Sequence, residues 1–195
     1  MRPECNYTKN MRRSISFTIL FFVMLSVLVS CYQSHKRELD LAYTLAESKP
    51  DSALAFLNRI NQAKLSDEDM AKYALTYYMA QDKSGLDVDN DSLIRIAYDW
   101  YVDHQDDSLY ASSLYYMGKC FLLNDSMEQA KACLEKSYSI SDSLHNLSLK
   151  CLALDKLIEV EEQLAPDTAL KYAKDLVKMY ESMPNVSIYK RWLRI

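Results

Sequence analysis

Glycine and proline are nearly missing from this chain: its 195 residues hold 2 Gly and 4 Pro. A β-sandwich or barrel needs a turn signal every ten residues or so, which excludes those folds and leaves an all-helical chain as the expectation. Histidine is scarce as well. His35, His104 and His145 stand alone, with no His or carboxylate four residues on to complete a zinc pair. Asp87, Asp89 and Asp91 alternate in DVDNDS like part of a calcium loop, but Ser92 and Tyr98 stand where that loop needs Gly and Glu. The stretch is read as a capping loop, and Asp103 to Asp107 around His104 as a solvated turn. A glycine-rich phosphate loop and a nucleophile elbow are both absent. The chain is therefore read as a non-enzyme, with no catalytic residue, no metal ligand and no cofactor assigned.

A basic stripe is lacking too. Residues 1–30 carry Arg2, Lys9, Arg12 and Arg13 against Glu4; setting them aside leaves 19 of the 23 basic and 26 of the 27 acidic residues. So acidic a remainder does not suit phosphate backbones, and nucleic acid is excluded as a partner. Five cysteines make no disulfide framework. Cys5 lies in the first thirty residues and Cys31 just after them, which leaves Cys120, Cys133 and Cys151 at no metal-ligand spacing. Cys120 and Cys133 could pair in an oxidising compartment; buried free thiols are the simpler expectation.

What is present begins with SISFTILFFVMLSVLVS, Ser14 to Ser30, an apolar run behind Arg12-Arg13 with the layout of a secretory signal. It is short for a membrane span, which needs about 20 residues. The run ends in Leu28-Val29-Ser30-Cys31, which resembles the lipobox of bacterial lipoproteins. That resemblance implies a signal peptide over 1–30 and lipidation of Cys31, with the new amino terminus acylated, as by palmitate. Several acyl chains anchor stably, at about 0.8 kcal/mol per buried methylene. An uncleaved membrane helix and a signal cleaved elsewhere are the competing readings. Tyr32, where an Asp would imply inner-membrane retention, implies the outer membrane. Residues 32–37 lack the acidic cluster of surface-exported lipoproteins, which implies a periplasm-facing position.

After a short linker, 31–37, amphipathic helices follow one another. Leu39, Ala42, Leu45 and Ala46 form one stripe, and Pro50-Asp51-Ser52 restarts a helix with Ala53, Leu57 and Ile60. Ser66-Asp67 caps a helix with Met70, Ala74, Tyr77 and Tyr78, and Asp91-Ser92 opens one with Leu93, Ile96, Ala97 and Trp100. Two more patterns, around Leu114 to Phe121 and Ala130 to Ser137, are joined by the turn and cap Asn124-Asp125-Ser126. A fourth pair runs from about Ser143, with Leu147, Cys151, Leu154 and Leu157, and then from Pro166-Asp167-Thr168 with Ala169, Ala173 and Leu176.

Leu114, Met117, Gly118, Phe121, Ala130 and Leu134 fit in type and spacing the signature W-x2-L-G-x2-Y followed by A-x3-F. The segment resembles the tetratricopeptide repeat, in which small residues at Gly118 and Ala130 let two antiparallel helices approach. Ala53-x3-Leu57 repeats Ala130-x3-Leu134, and Ala53, Ala130 and Ala169 are separated by 77 and 39 residues, a period near 38. The departures are the lack of Trp at the first signature position and Lys156 where the fourth repeat wants Leu. The expected architecture is an α-solenoid of about four hairpins over 38–180.

Residues 181–195 form a tail in which Ile188, Tyr189, Trp192 and Leu193 fall on one helical face with Lys190, Arg191 and Arg194 around them. It reads as the start of a further repeat, a docking patch or a cap.

As a whole the chain is similar to the tetratricopeptide lipoproteins of Gram-negative bacteria. That implies a lipid-anchored envelope scaffold which binds a protein or peptide in the groove lined by the first helix of each repeat. Adjacent tyrosines on a helix point about 100° apart, so one of each pair, Tyr77-Tyr78 and Tyr115-Tyr116, can face away from the core. By motif position Tyr115 and Lys119 are expected on the groove, partly exposed, and Tyr78 is taken with them as a partner-binding residue. Truncated membership of a longer sensor or regulator family, or kinship with outer-membrane nutrient-binding lipoproteins, are the alternatives.

Overall fold

The computed structural model describes residues 36–86, 91–104 and 107–182. Cys31 with the segment before it, Asp87 and Asp89, and the tail residues 183–195 lie outside the described residues. The described chain is all α: helices α1 (36–48), α2 (Pro50–Leu57), α3 (Asp67–Lys83), α4 (Ser92–His104), α5 (Asp107–Leu123), α6 (Met127–Ser143), α7 (Leu147–Leu164) and α8 (Pro166–Glu181), with one 3-10 turn at Gln62–Lys64. None of these is long and apolar enough to cross a membrane.

Helix starts follow two recipes. Pro50 and Pro166 open α2 and α8 at a position where the missing N–H costs nothing. Ser66 and Asn146 instead cap α3 and α7 with their side chains, accepting from the N–H of Asp69 at 3.2 Å and of Leu149 at 3.1 Å. Ser126 stands at the expected cap of α6, but its hydroxyl donates back to the Asn124 carbonyl and caps nothing.

Three helix ends are built alike. Gly85, Asp125 and His145 take φ of 70°, 53° and 55° after α3, α5 and α6. Behind each, the next N–H reaches five residues back: Leu86 to the Gln81 carbonyl, Ser126 to that of Phe121, Asn146 to that of Ser141. This is the Schellman closure, which satisfies carbonyls the helix leaves open. Two of the three positions carry a side chain where glycine fits best; the turn at Asp125 is the one expected at Asn124-Asp125-Ser126, whereas that at His145 has no glycine to mark it in the sequence.

Two boundaries differ from the sequence expectation. α6 continues through Ser143, and α7, capped by Asn146, begins only at Leu147, four residues later than the apolar pattern suggests and with that side chain 40% exposed. α2 stops at Leu57, so Ile60 packs from the following turn.

Each helix from α2 to α8 packs on the next in sequence, and α5 also touches α3 and α7. One apolar cluster runs from Ala46 through Leu75, Met79, Ile94, Leu114, Met117 and Leu134 to Val160. A fully buried leucine contributes about 2 kcal/mol relative to exposure, so these side chains dominate the fold's stability. Gly118 and Ala130 do let α5 and α6 approach: a methyl group on Gly118 would stand 2.7 Å from Leu134 Cγ. Ser137, buried on α6, donates to the Ala111 carbonyl of α5 at 2.7 Å and fixes the pair's register.

Candidate binding face

Helices α1, α3 and α5 share a polar face tied by ion pairs between helices far apart in sequence, and α7 packs against α5. Lys72 of α3 pairs with Asp40 of α1, Lys83 Nζ of α3 lies 2.6 Å from Glu47 Oε2 of α1, and Lys119 of α5 pairs with Asp82 of α3. Tyr43 of α1 reaches across to α5, its hydroxyl 3.3 Å from Ser112 Oγ. On α7, Lys156 Nζ is bonded within its own helix to Glu159 Oε2 at 2.6 Å. Surface pairs of this kind contribute up to about 1 kcal/mol each, so they orient side chains more than they hold the fold.

Beneath the charges lies a tyrosine layer. Tyr115 and Tyr116 meet edge to face at 4.9 Å between ring centroids, and Tyr116 meets Tyr78 likewise at 5.7 Å. Lys119 Nζ stands 5.9 Å over the Tyr115 ring. Burial pushes the Tyr115 and Tyr78 hydroxyls well above the usual phenol range, with Asp82 adding to it in both; burial does the same to Tyr116. All three remain protonated.

The expected exposure of Tyr115 and Tyr78 is corrected here. Tyr115 is 4% exposed and Tyr78 is 2% exposed. α5 has neighbours on several sides, α3, α4, α6 and α7, so every residue from Tyr110 to Gly118 is buried, and the Lys119 ammonium stands over the Tyr115 ring. Lys119 is 20% exposed and tied to Asp82.

Asp155, one turn before Glu159 on α7, belongs to the same face, since it acts electrostatically on Tyr115 and feels Lys119. It is half-buried, and burial, opposed by Lys156, raises its carboxyl above the usual range.

The sequence reading missed Glu161, which is 1% exposed on α7 and ion-paired through Oε1 with Lys131 Nζ of α6 at 2.7 Å, though neither of its oxygens is in line for a directed hydrogen bond. Its place four residues after Leu157 on the apolar stripe was the available signal. His104 also differs from expectation. It ends α4 instead of lying in a turn, stacks on Trp100 at 3.7 Å, and bonds the Trp100 carbonyl through Nδ1 at 2.8 Å. Beside this stack is a shallow hollow of about 370 Å³ edged by Asp67, Asp99 and Asp103. Cys120, Cys133 and Cys151 are free and buried. Among the described residues no three His, Cys, Asp or Glu side chains are grouped to hold a metal ion.

Compared with protein-family models, curated proteins and solved structures, the chain matches none.

Proposed function

We propose that this chain is a lipid-anchored scaffold of the bacterial envelope, held to the outer membrane through Cys31 and facing the periplasm. Its helices form a tetratricopeptide-like array of four hairpins, α1/α2 to α7/α8, whose first helices make a groove for a protein or peptide partner. The observation that carries the reading is the face shared by α1, α3, α5 and α7, where Lys72–Asp40, Lys83–Glu47 and Lys119–Asp82 each join one hairpin to the next. Contact of α5 with both α3 and α7 supports the same stacking, because a solenoid's units touch through equivalent helices.

In this reading the tyrosines act as a rigid floor and the charged side chains above them meet the partner. Lys119, not Tyr115, is the contacting residue; Asp82 and the Tyr115 ring hold it in place, and Tyr78 braces the floor through Tyr116.

A photo-crosslinking amino acid at position 119, in the full chain expressed in an envelope-bearing host, tests the groove. Partner adducts are expected from position 119 and not from Lys174 on α8; equal yields at both, or none at 119, would sink the reading. Tyr115→Ala should lower stability by about 3–5 kcal/mol, as loss of a buried aromatic does, while Lys119→Ala leaves the melting point nearly unchanged and weakens the adduct formed from a crosslinker placed at position 156 of α7 instead. The anchor is tested by Cys31→Ser, which is expected to release the protein from membranes or leave its leader uncleaved. A variant that is processed and sediments like the parent, with no lipid mass on the parent's amino-terminal peptide, rules the anchor out.

A further inference from the structure

On the shared face of α1, α3, α5 and α7 the cations are already engaged. Lys72 is bonded to Asp40, Lys83 to Glu47, Lys119 to Asp82 and Lys156 to Glu159. Asp155 is the carboxylate left over. It stands half-buried on α7, and among the described residues it makes neither a hydrogen bond nor an ion pair. The two ammonium groups that act on it, Lys119 and Lys156, are each bonded to a different carboxylate.

A carboxylate partly withdrawn from water and left unpaired costs the free protein stability. The same group gains most from a cation brought by a partner, because a charge-assisted bond in a half-dry setting is stronger than one at an open surface. The groove around it is acidic in sum: Glu47, Asp82, Asp155 and Glu159 all act on Tyr115, against Lys83, Lys119 and Lys156. The chain beyond residue 30 is acidic as well, so a basic segment is attracted before it docks.

We propose that the partner segment places a lysine or arginine side chain on Asp155, so that the groove selects peptides with a basic residue at one fixed position. This rests on the groove reading and adds the partner's chemistry to it. The ring of Tyr115 beneath the site is rigid, and Lys119, held away by Asp82, does not compete for the carboxylate.

The test is a random nonapeptide library carrying a photo-crosslinker, selected on the full chain in non-ionic detergent and on its Asp155→Asn variant. Peptides enriched on the parent should share a Lys or Arg at one register and crosslink to α5 or α7. The variant should lose that preference and bind a chosen basic peptide about tenfold more weakly, equivalent to about 1.4 kcal/mol. Asp99→Asn with Asp103→Asn, at the other acidic surface, should change neither result. Asp155→Asn removes an unpaired charge, so its melting point should hold or rise, which separates lost binding from lost fold. Peptides that crosslink to α5 or α7 without a fixed basic residue, or that bind the variant equally, overturn the inference and leave the groove standing. Selection of no peptide that crosslinks to α3, α5 or α7 overturns both.

Discussion

Gly118 and Leu134 are packed so closely that a β-carbon on the glycine would stand 2.7 Å from Leu134 Cγ and 2.9 Å from Cδ2. Leu134 is fully buried, so its branched end has little room to withdraw. Two effects of Gly118→Ala therefore oppose each other. Alanine gains about 1 kcal/mol of helix propensity, and overpacking a filled core costs about 1–3 kcal/mol. Overpacking should win, giving a net loss of up to about 2 kcal/mol in urea unfolding. With Leu134→Ala already present the same change should become neutral or stabilising, which a double-mutant cycle reads directly. A Gly118→Ala protein more stable than the parent would mean that the helices are not in this contact.

His145 holds φ 55° at the end of α6, where Asn146 N–H closes on the Ser141 carbonyl. A side chain in this region is strained and glycine is not. His145→Gly should stabilise by about 1 kcal/mol and raise Tm by about 2–4 °C for a chain of this size. Asp125→Gly should gain less, since a short Asp side chain can hydrogen-bond locally and visits the left-handed region more readily. Calorimetry showing His145→Gly lower than the parent would contradict the turn.

Lys131 and Glu161 bind α6 to α7 through a carboxylate that is 1% exposed. Removing only the cation strands a buried charge, whereas replacing both with apolar groups of similar size can be neutral or stabilising. Lys131→Met should thus lower the melting point more than Lys174→Met does on α8. Adding Glu161→Met should restore it. If the single and double variants melt together, the pair contributes nothing.

Burial pushes the Cys151 thiol up to about 11. At pH 8 roughly one thiol in a thousand is then ionised, and the thiolate is the reacting species. Native protein should react with an aromatic disulfide reagent at Cys151 only as fast as it opens, and denatured protein at once. Rapid modification of Cys151 at pH 8 in the folded chain would place it at the surface.

The sequence by itself determined the helical class, because too few glycines and prolines are present to punctuate strands. It also determined the small-residue contact of α5 and α6: Gly118, Ala130 and Leu134 lie on faces that a 3.6-residue period brings together. Periodicity says which residues share a face, but not how many neighbours that face meets. Tyr115 reads as a surface residue on an isolated hairpin; it is buried because α3 and α7 flank α5 and Lys119 lies over its ring. The pairing of Lys119 with Asp82 spans 37 residues, and that of Lys131 with Glu161 joins two helices. Local pattern carries no information at those separations. The fourth hairpin makes the same point: Leu157 precedes Ala169 by the twelve residues that separate Gly118 from Ala130, so a leucine stands where the third hairpin has its glycine, and a small residue, Ala153, stands where it has Leu114. Both residues of the fourth hairpin are buried. Only tertiary packing decides such exchanges, because a core requires filled volume and not a particular residue at each place.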